Sequence, residues 1–114
     1  MASDCIFCKI VAGEIPASKV FESDEILAFH DIAPVAPVHV LLIPKKHIAS
    51  LQDLGEEDLG LMGNLAAAAQ HVAREKGVAE SGYRLLTNSG KDAGQIVCHL
   101  HWHLIGGKPL GKLG

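Results

Sequence analysis

The chain has 114 residues, is 48% hydrophobic and 20% charged, and carries a formal net charge of −3 with its histidines neutral. That size and balance suit one globular domain over 1–114 with a real core, and no internal repeat, low-complexity tract or linker composition appears. Nothing in the mildly acidic charge suggests a surface built to track nucleic acid. No apolar run could span a bilayer, and Met1-Ala2-Ser3-Asp4 lacks a basic segment leading into an apolar one. A cytoplasmic protein with no membrane or nucleic-acid partner is therefore expected. Three cysteines, an odd number, argue for thiols with individual roles and against a disulfide framework.

In chain order, Asp4 can cap a short helix over 5–12, which Gly13 and Pro16 would stop. Cys5 and Cys8 fall three apart, so on a helical turn both thiols lie on one side. They read either as a metal-sharing pair or as two small, buried, inert thiols. Lys19–Glu22 and Glu25–Ile32 flank a Ser-Asp turn and predict an antiparallel hairpin. Asp31, at the end of its second strand, could accept from paired hydroxyls such as those of a ribose, or could simply be solvated.

Val38–Ile43 is a β-branched, apolar strand closed by Pro44, with His39 as its one polar member. The one long helix is predicted over Asp58–Lys76. Leu59, Met62, Leu65, Ala66, Ala69, Val72 and Ala73 recur there at steps of three and four, and Gly77 follows as the residue that ends it. Tyr83–Asn88 predicts a further strand, and 89–95 a loop in which Gly94 lets backbone N–H groups approach an anion. A last strand is expected over Ile96–Ile105, ended by Gly106-Gly107. The order helix, hairpin, strand, helix, hairpin describes an α+β domain on an antiparallel sheet.

Within that last segment, His99, His101 and His103 alternate with Cys98, Leu100, Trp102 and Leu104. On a strand the three imidazoles would line one face and the apolar set the other. Same-face neighbours are about 6.6–6.8 Å apart, so the outer two rings would be roughly 13 Å apart. A single zinc, with nitrogens at about 2.0–2.1 Å, could not be reached by all three. A phosphate ester, with a reacting phosphorus and several oxygens to hold, fits a spread-out row better.

His99-Leu100-His101-Trp102-His103-Leu104-Ile105 resembles the His-x-His-x-His-x-x signature, with x apolar, of the histidine triad superfamily. Further landmarks are in register: Ile6-Phe7, Glu14-Ile15-Pro16, Ala28–Ile32, Ala36–His39, Ile43–Ile48 and Gly94-Gln95. The resemblance is closest to the Hint branch, the purine nucleoside phosphoramidases. It implies a five-stranded antiparallel sheet with one long and one short helix, extended across a homodimer. It implies binding of a purine nucleoside monophosphate, and cleavage of a bond to its α-phosphorus through a nucleotidyl-histidine.

Carried over by position, His101 would be the nucleophile, usable near neutral pH because an unperturbed imidazole has a pKa of about 6.5. His99 and His39 would help fix its tautomer and the surrounding hydrogen bonds. His103 would hold a phosphate oxygen and help protonate the leaving amine. Gly94 and Gln95 would donate to the phosphate, Asn88 would contact the phosphate or ribose, and Asp31 would accept from the ribose. Ile6, Phe7, Phe29, Ile32 and Leu41 would wall the base. No cofactor is needed for these steps, and the sequence has no P-loop or carboxylate cluster for Mg²⁺.

Two features depart from the common pattern. Ile96 stands where Ser or Thr commonly follows Gly-Gln, so a donor toward the leaving group is missing. The Cys5/Cys8 pair, with His47 and His99, matches a structural zinc set found in some family members. Two rival functions follow from the same resemblance: dinucleoside polyphosphate hydrolysis, as in another branch, and a non-catalytic, zinc-stabilised nucleotide-binding module.

Overall fold

A computed structural model describes residues 4–113. Five strands form one antiparallel sheet: β1 (Lys19–Glu22), β2 (Ile26–His30), β3 (Val38–Pro44), β4 (Tyr83–Leu86) and β5 (Trp102–Gly106), in the order β1-β2-β3-β5-β4. Helix α1 (Ile6–Val11) and helix α2 (Leu59–Glu75) cover its two faces. The expected fold class, five antiparallel strands with one long and one short helix, is the one observed.

Strand alternation divides the core. Ile26 and Ala28 of β2, Val40 and Leu42 of β3 and Leu104 of β5 meet Leu61, Leu65, Ala68, Ala69, Val72 and Ala73 of α2. The other face of the same strands, Leu27, Phe29, Leu41 and Ile43, packs against Cys5, Phe7, Cys8 and Ile10 around α1. His39 and His103 project toward this second face, because they alternate with Val40 and Leu104.

Several boundaries differ from the sequence reading. The N-cap of α1 is Cys5 and not Asp4, with Cys5 Sγ accepting from the Cys8 N–H at 3.3 Å. The buried stripe of α2 runs through Leu61 and Ala68, while Leu59 is exposed, because alanine-rich turns carry little contrast between faces. The largest correction concerns the histidine segment. Strand β5 begins only at Trp102, so 96–101 is irregular backbone and the three histidines do not share one strand face. Leu86 pairs with His103, leaving 87–101 as a long connection between β4 and β5.

Candidate active site

His103 lies on β5, and the irregular backbone before it aims the other two rings separately. The His99 ring, fully buried, points at Cys5, Cys8 and His47. The His101 ring packs between Phe7 and His103, with centroids 5.1 Å from each. It is 8% exposed.

Hydrogen bonds determine the tautomers. His101 Nδ1 lies 2.7 Å from the His99 carbonyl oxygen, which can only accept, so Nδ1 carries the proton and Nε2 carries the lone pair. The Val35 N–H donates to His39 Nδ1 at 3.2 Å, so in the neutral ring His39 Nε2 is the donor. It donates to His103 Nδ1 at 2.9 Å and lies 3.4 Å from Asp31 Oδ2. The second nitrogen of His103 is then an N–H. Burial holds His39 below the usual imidazole range, against a partial opposing pull from Asp31. Burial, then the His101 and His39 rings, push His103 down to about 4. Both rings are neutral near pH 7. His99 thus meets His101 through its backbone carbonyl, and His39 bonds to the neighbouring His103.

Other expected residues sit as follows. Asp31 Oδ1 caps a turn by accepting from the Ala33 N–H at 2.8 Å, and its side chain is 19% exposed. Phe29 is buried edge-on against Phe7, with centroids 5.6 Å apart, and Leu41 is buried beside it. Ile32, fully exposed, and Ile6, half exposed, present free apolar surface. Asn88 lies half-buried in the β4–β5 connection. Gly94 adopts the left-handed conformation at φ +83° and ends a 3₁₀ turn over Lys91–Ala93.

Gln95 departs from its expected role as a phosphate donor. Its side-chain amide donates to the Ala49 and Val97 carbonyls at 2.7 and 2.9 Å, while its Oε1 accepts from the Gly90 N–H. The N–H groups of Gly94 and Gln95 go to the Lys91 and Gly90 carbonyls. These residues therefore shape the loop that carries Ile96, which is 92% exposed.

The candidate metal set is drawn together from far apart in sequence. Cys5 Sγ lies 3.4 Å from His99 Nδ1, and Cys8 Sγ lies 3.2 Å from His47 Nδ1 and 3.6 Å from His99 Nδ1. The two Nδ1 atoms are 3.2 Å apart. Zn–S and Zn–N bonds of about 2.3 and 2.05 Å at tetrahedral angles require N···N of about 3.3 Å and N···S of about 3.6 Å. The residues fit such an ion. His99 Nε2 donates to the Pro44 carbonyl at 2.8 Å, which leaves Nδ1 as the ligating nitrogen. Burial, then the neighbouring Cys5 thiol, push the Cys8 thiol up to about 11, so a thiolate pair here calls for a cation.

Three contributors escape sequence reasoning: the Pro44 carbonyl, the Val35 N–H, and Thr87, whose hydroxyl donates to the His101 carbonyl at 2.8 Å. The two backbone groups leave no side-chain signal. Thr87 stands out only as a hydroxyl after the apolar pair Leu85-Leu86.

The chain is similar to the purine nucleoside phosphoramidase of Escherichia coli K12, at 42% identity over 113 residues, which are 99% of this chain and 95% of that protein. In structure it is similar to a histidine triad protein from Clostridium difficile, with TM-score 0.96 and 45% identity over 100% of this chain and 99% of that one. A HIT family hydrolase from Legionella pneumophila aligns with TM-score 0.92 and 49% identity, over 95% of this chain and 96% of that one. The HIT domain model matches residues 12–110, and the chain belongs to the HIT-domain, or histidine triad, family.

Proposed function

We propose that the protein is a cytoplasmic hydrolase of purine nucleoside 5′-phosphoramidates, with His101 as the nucleophile. One observation carries the reading: the Nδ1–H of His101 is held by a carbonyl, so that in the neutral form of the ring Nε2 is the nitrogen with the free lone pair. Nε2 attacks the α-phosphorus, and the phosphorus–nitrogen bond breaks. The departing amine needs a proton. In the neutral ring His103 offers the N–H that does not face His39 to a phosphate oxygen, and the amine takes its proton from solvent water. Water then attacks the phosphorus and gives its proton to solvent, and the nucleoside monophosphate leaves with His101 regenerated.

In this reading Asp31 faces the ribose, Asn88 the ribose or phosphate, and Ile6, Phe7 and Ile32 the base, over the buried Phe29 and Leu41. The loop at Gly94, Gln95 and Ile96 borders the phosphate. No cofactor enters the reaction. Cys5, Cys8, His47 and His99 would hold a structural zinc, which ties α1 to the histidine segment. The similarity to a purine nucleoside phosphoramidase supports the substrate class. A homodimer is inferred as well, paired along the edge strand β4.

The test is turnover of an AMP–amine conjugate beside a diadenosine polyphosphate, with mass spectrometry of acid-quenched protein. The conjugate should be the better substrate, and an adduct of AMP mass should map to His101. His101→Ala should lose roughly 10³-fold or more in rate while still binding AMP. An unchanged rate would show that His101 is not the nucleophile. Faster turnover of the polyphosphate would move the chain to another activity, and AMP binding without any turnover would make it a binding module.

A further inference from the structure

We propose that Cys5 and Cys8, through the metal they would share with His47 and His99, act as positioning residues for His101. The quartet then sets the geometry of the nucleophile, beyond bracing α1. The inference rests on the reading of His101 given above.

His99 belongs to both assemblies. Its Nδ1 is in the quartet, 3.4 Å from Cys5 Sγ and 3.2 Å from His47 Nδ1, and its Nε2–H is held by the Pro44 carbonyl. Its own carbonyl, 2.7 Å from His101 Nδ1, selects the tautomer of the next histidine along. A ring fixed at both nitrogens also fixes the backbone that bears it, and with it the direction of that carbonyl.

Phe7 makes the second link. It lies between the two thiols in sequence, and its ring stands edge-on to His99 at 5.9 Å and to His101 at 5.1 Å. Helix α1 has six residues, too few to be stable through its own hydrogen bonds. Two metal–sulfur bonds would lock it, and Phe7 with it, against the His101 ring. Without them, thiol–imidazole contacts and packing alone hold the same pieces, and both constraints on His101 relax together. The ring could then move its proton to Nε2, the tautomer that cannot attack.

The experiment is ¹⁵N NMR of histidine-labelled full-length protein, loaded with one zinc per chain and then stripped with EDTA. It is paired with amide exchange and with kcat and KM for an AMP–amine conjugate. In the loaded protein His101 should show the Nδ1–H pattern alone. Stripping should average the two tautomers, speed exchange in α1 by about tenfold or more, and lower kcat about tenfold. KM should change less than about threefold, and added zinc should restore all three readings. An unchanged His101 pattern after stripping overturns the proposal, as does failure to take up one zinc per chain. If stripping unfolds the chain, Cys5→Ser decides, because it removes one metal–sulfur bond and keeps a side chain able to cap α1. It should average the two tautomers of His101 and speed exchange in α1, and an unaltered pattern in the folded variant overturns the coupling. The NMR readings do not need turnover, so a protein that never forms a nucleotidyl-histidine would fail the reaction reading while the coupling is still decided.

Discussion

His103 shows what its neighbourhood does to one imidazole. Its ring is partly buried, accepts from His39, and has His101 on its other side, so the folded chain resists charging it. Its affinity for a proton is lower folded, at about 4, than unfolded, at about 6.5. Above about pH 6.5 both states are neutral and the full stability is present. As pH falls toward 4 the unfolded state gains the proton first, so stability declines through that window. We expect His103→Asn to flatten the decline by on the order of 2 kcal/mol, less than the whole shift because the ring is partly solvated. Denaturant unfolding of both proteins at pH 7 and pH 4.5 checks this, and parallel curves would mean that His103 does not carry the pH dependence. The pairing of His39 with His103 was only half visible in sequence. A lone histidine in an apolar strand signals a partner, but register decides which one: His39 lies opposite Ile105, which sets its ring diagonally against that of His103.

At the scale of elements, period and punctuation carried most of the information. The apolar run closed by Pro44, the hairpin at Ser23-Asp24 and the long helix ended by Gly77 all appear in the structure close to where their patterns end. Two things were hidden. The alternation from Cys98 to Leu104 mimics a strand, yet only its second half is one. The metal-set contacts of His99 and the Leu100 N–H to Ile48 carbonyl bond at 2.6 Å hold the first half in another path. The apolar face of α2 was rotated in the reading because alanines stand on several of its sides. Leu65, fully buried at the centre of that helix, belongs to the cluster on the α2 side of the sheet, and His39 and His103 project to the other side. Leu65→Ala should therefore cost about 2–5 kcal/mol of stability by opening a cavity, and should leave zinc content and AMP affinity unchanged. Loss of affinity in a variant that is still folded would show that the two faces are not independent.

For the whole molecule, the sheet ends matter. β4 is an edge strand with Tyr83 and Leu85 exposed on one face, and an edge of that kind is a template for pairing with another chain. Beside it Leu51, Leu85, Leu86, Thr87 and Trp102 line an apolar cleft of about 230 Å³. The Trp102 Nε1 atom is buried without a hydrogen-bond partner among the described residues. Apolar surface and an unpaired backbone edge side by side are better explained by a covered edge than by a solvated one. A second copy meeting this edge about a two-fold axis would continue the antiparallel pairing, with each substituted residue counted twice. Leu85→Lys then brings two ammonium groups to one seam and removes two apolar contacts. We expect it to weaken the proposed dimer by about tenfold or more, read by sedimentation velocity across a concentration series, with the sheet intact by circular dichroism. A wild-type protein that sediments as a monomer at every concentration would refute pairing through β4. A dimer indifferent to lysine at 85 would move the interface to another face.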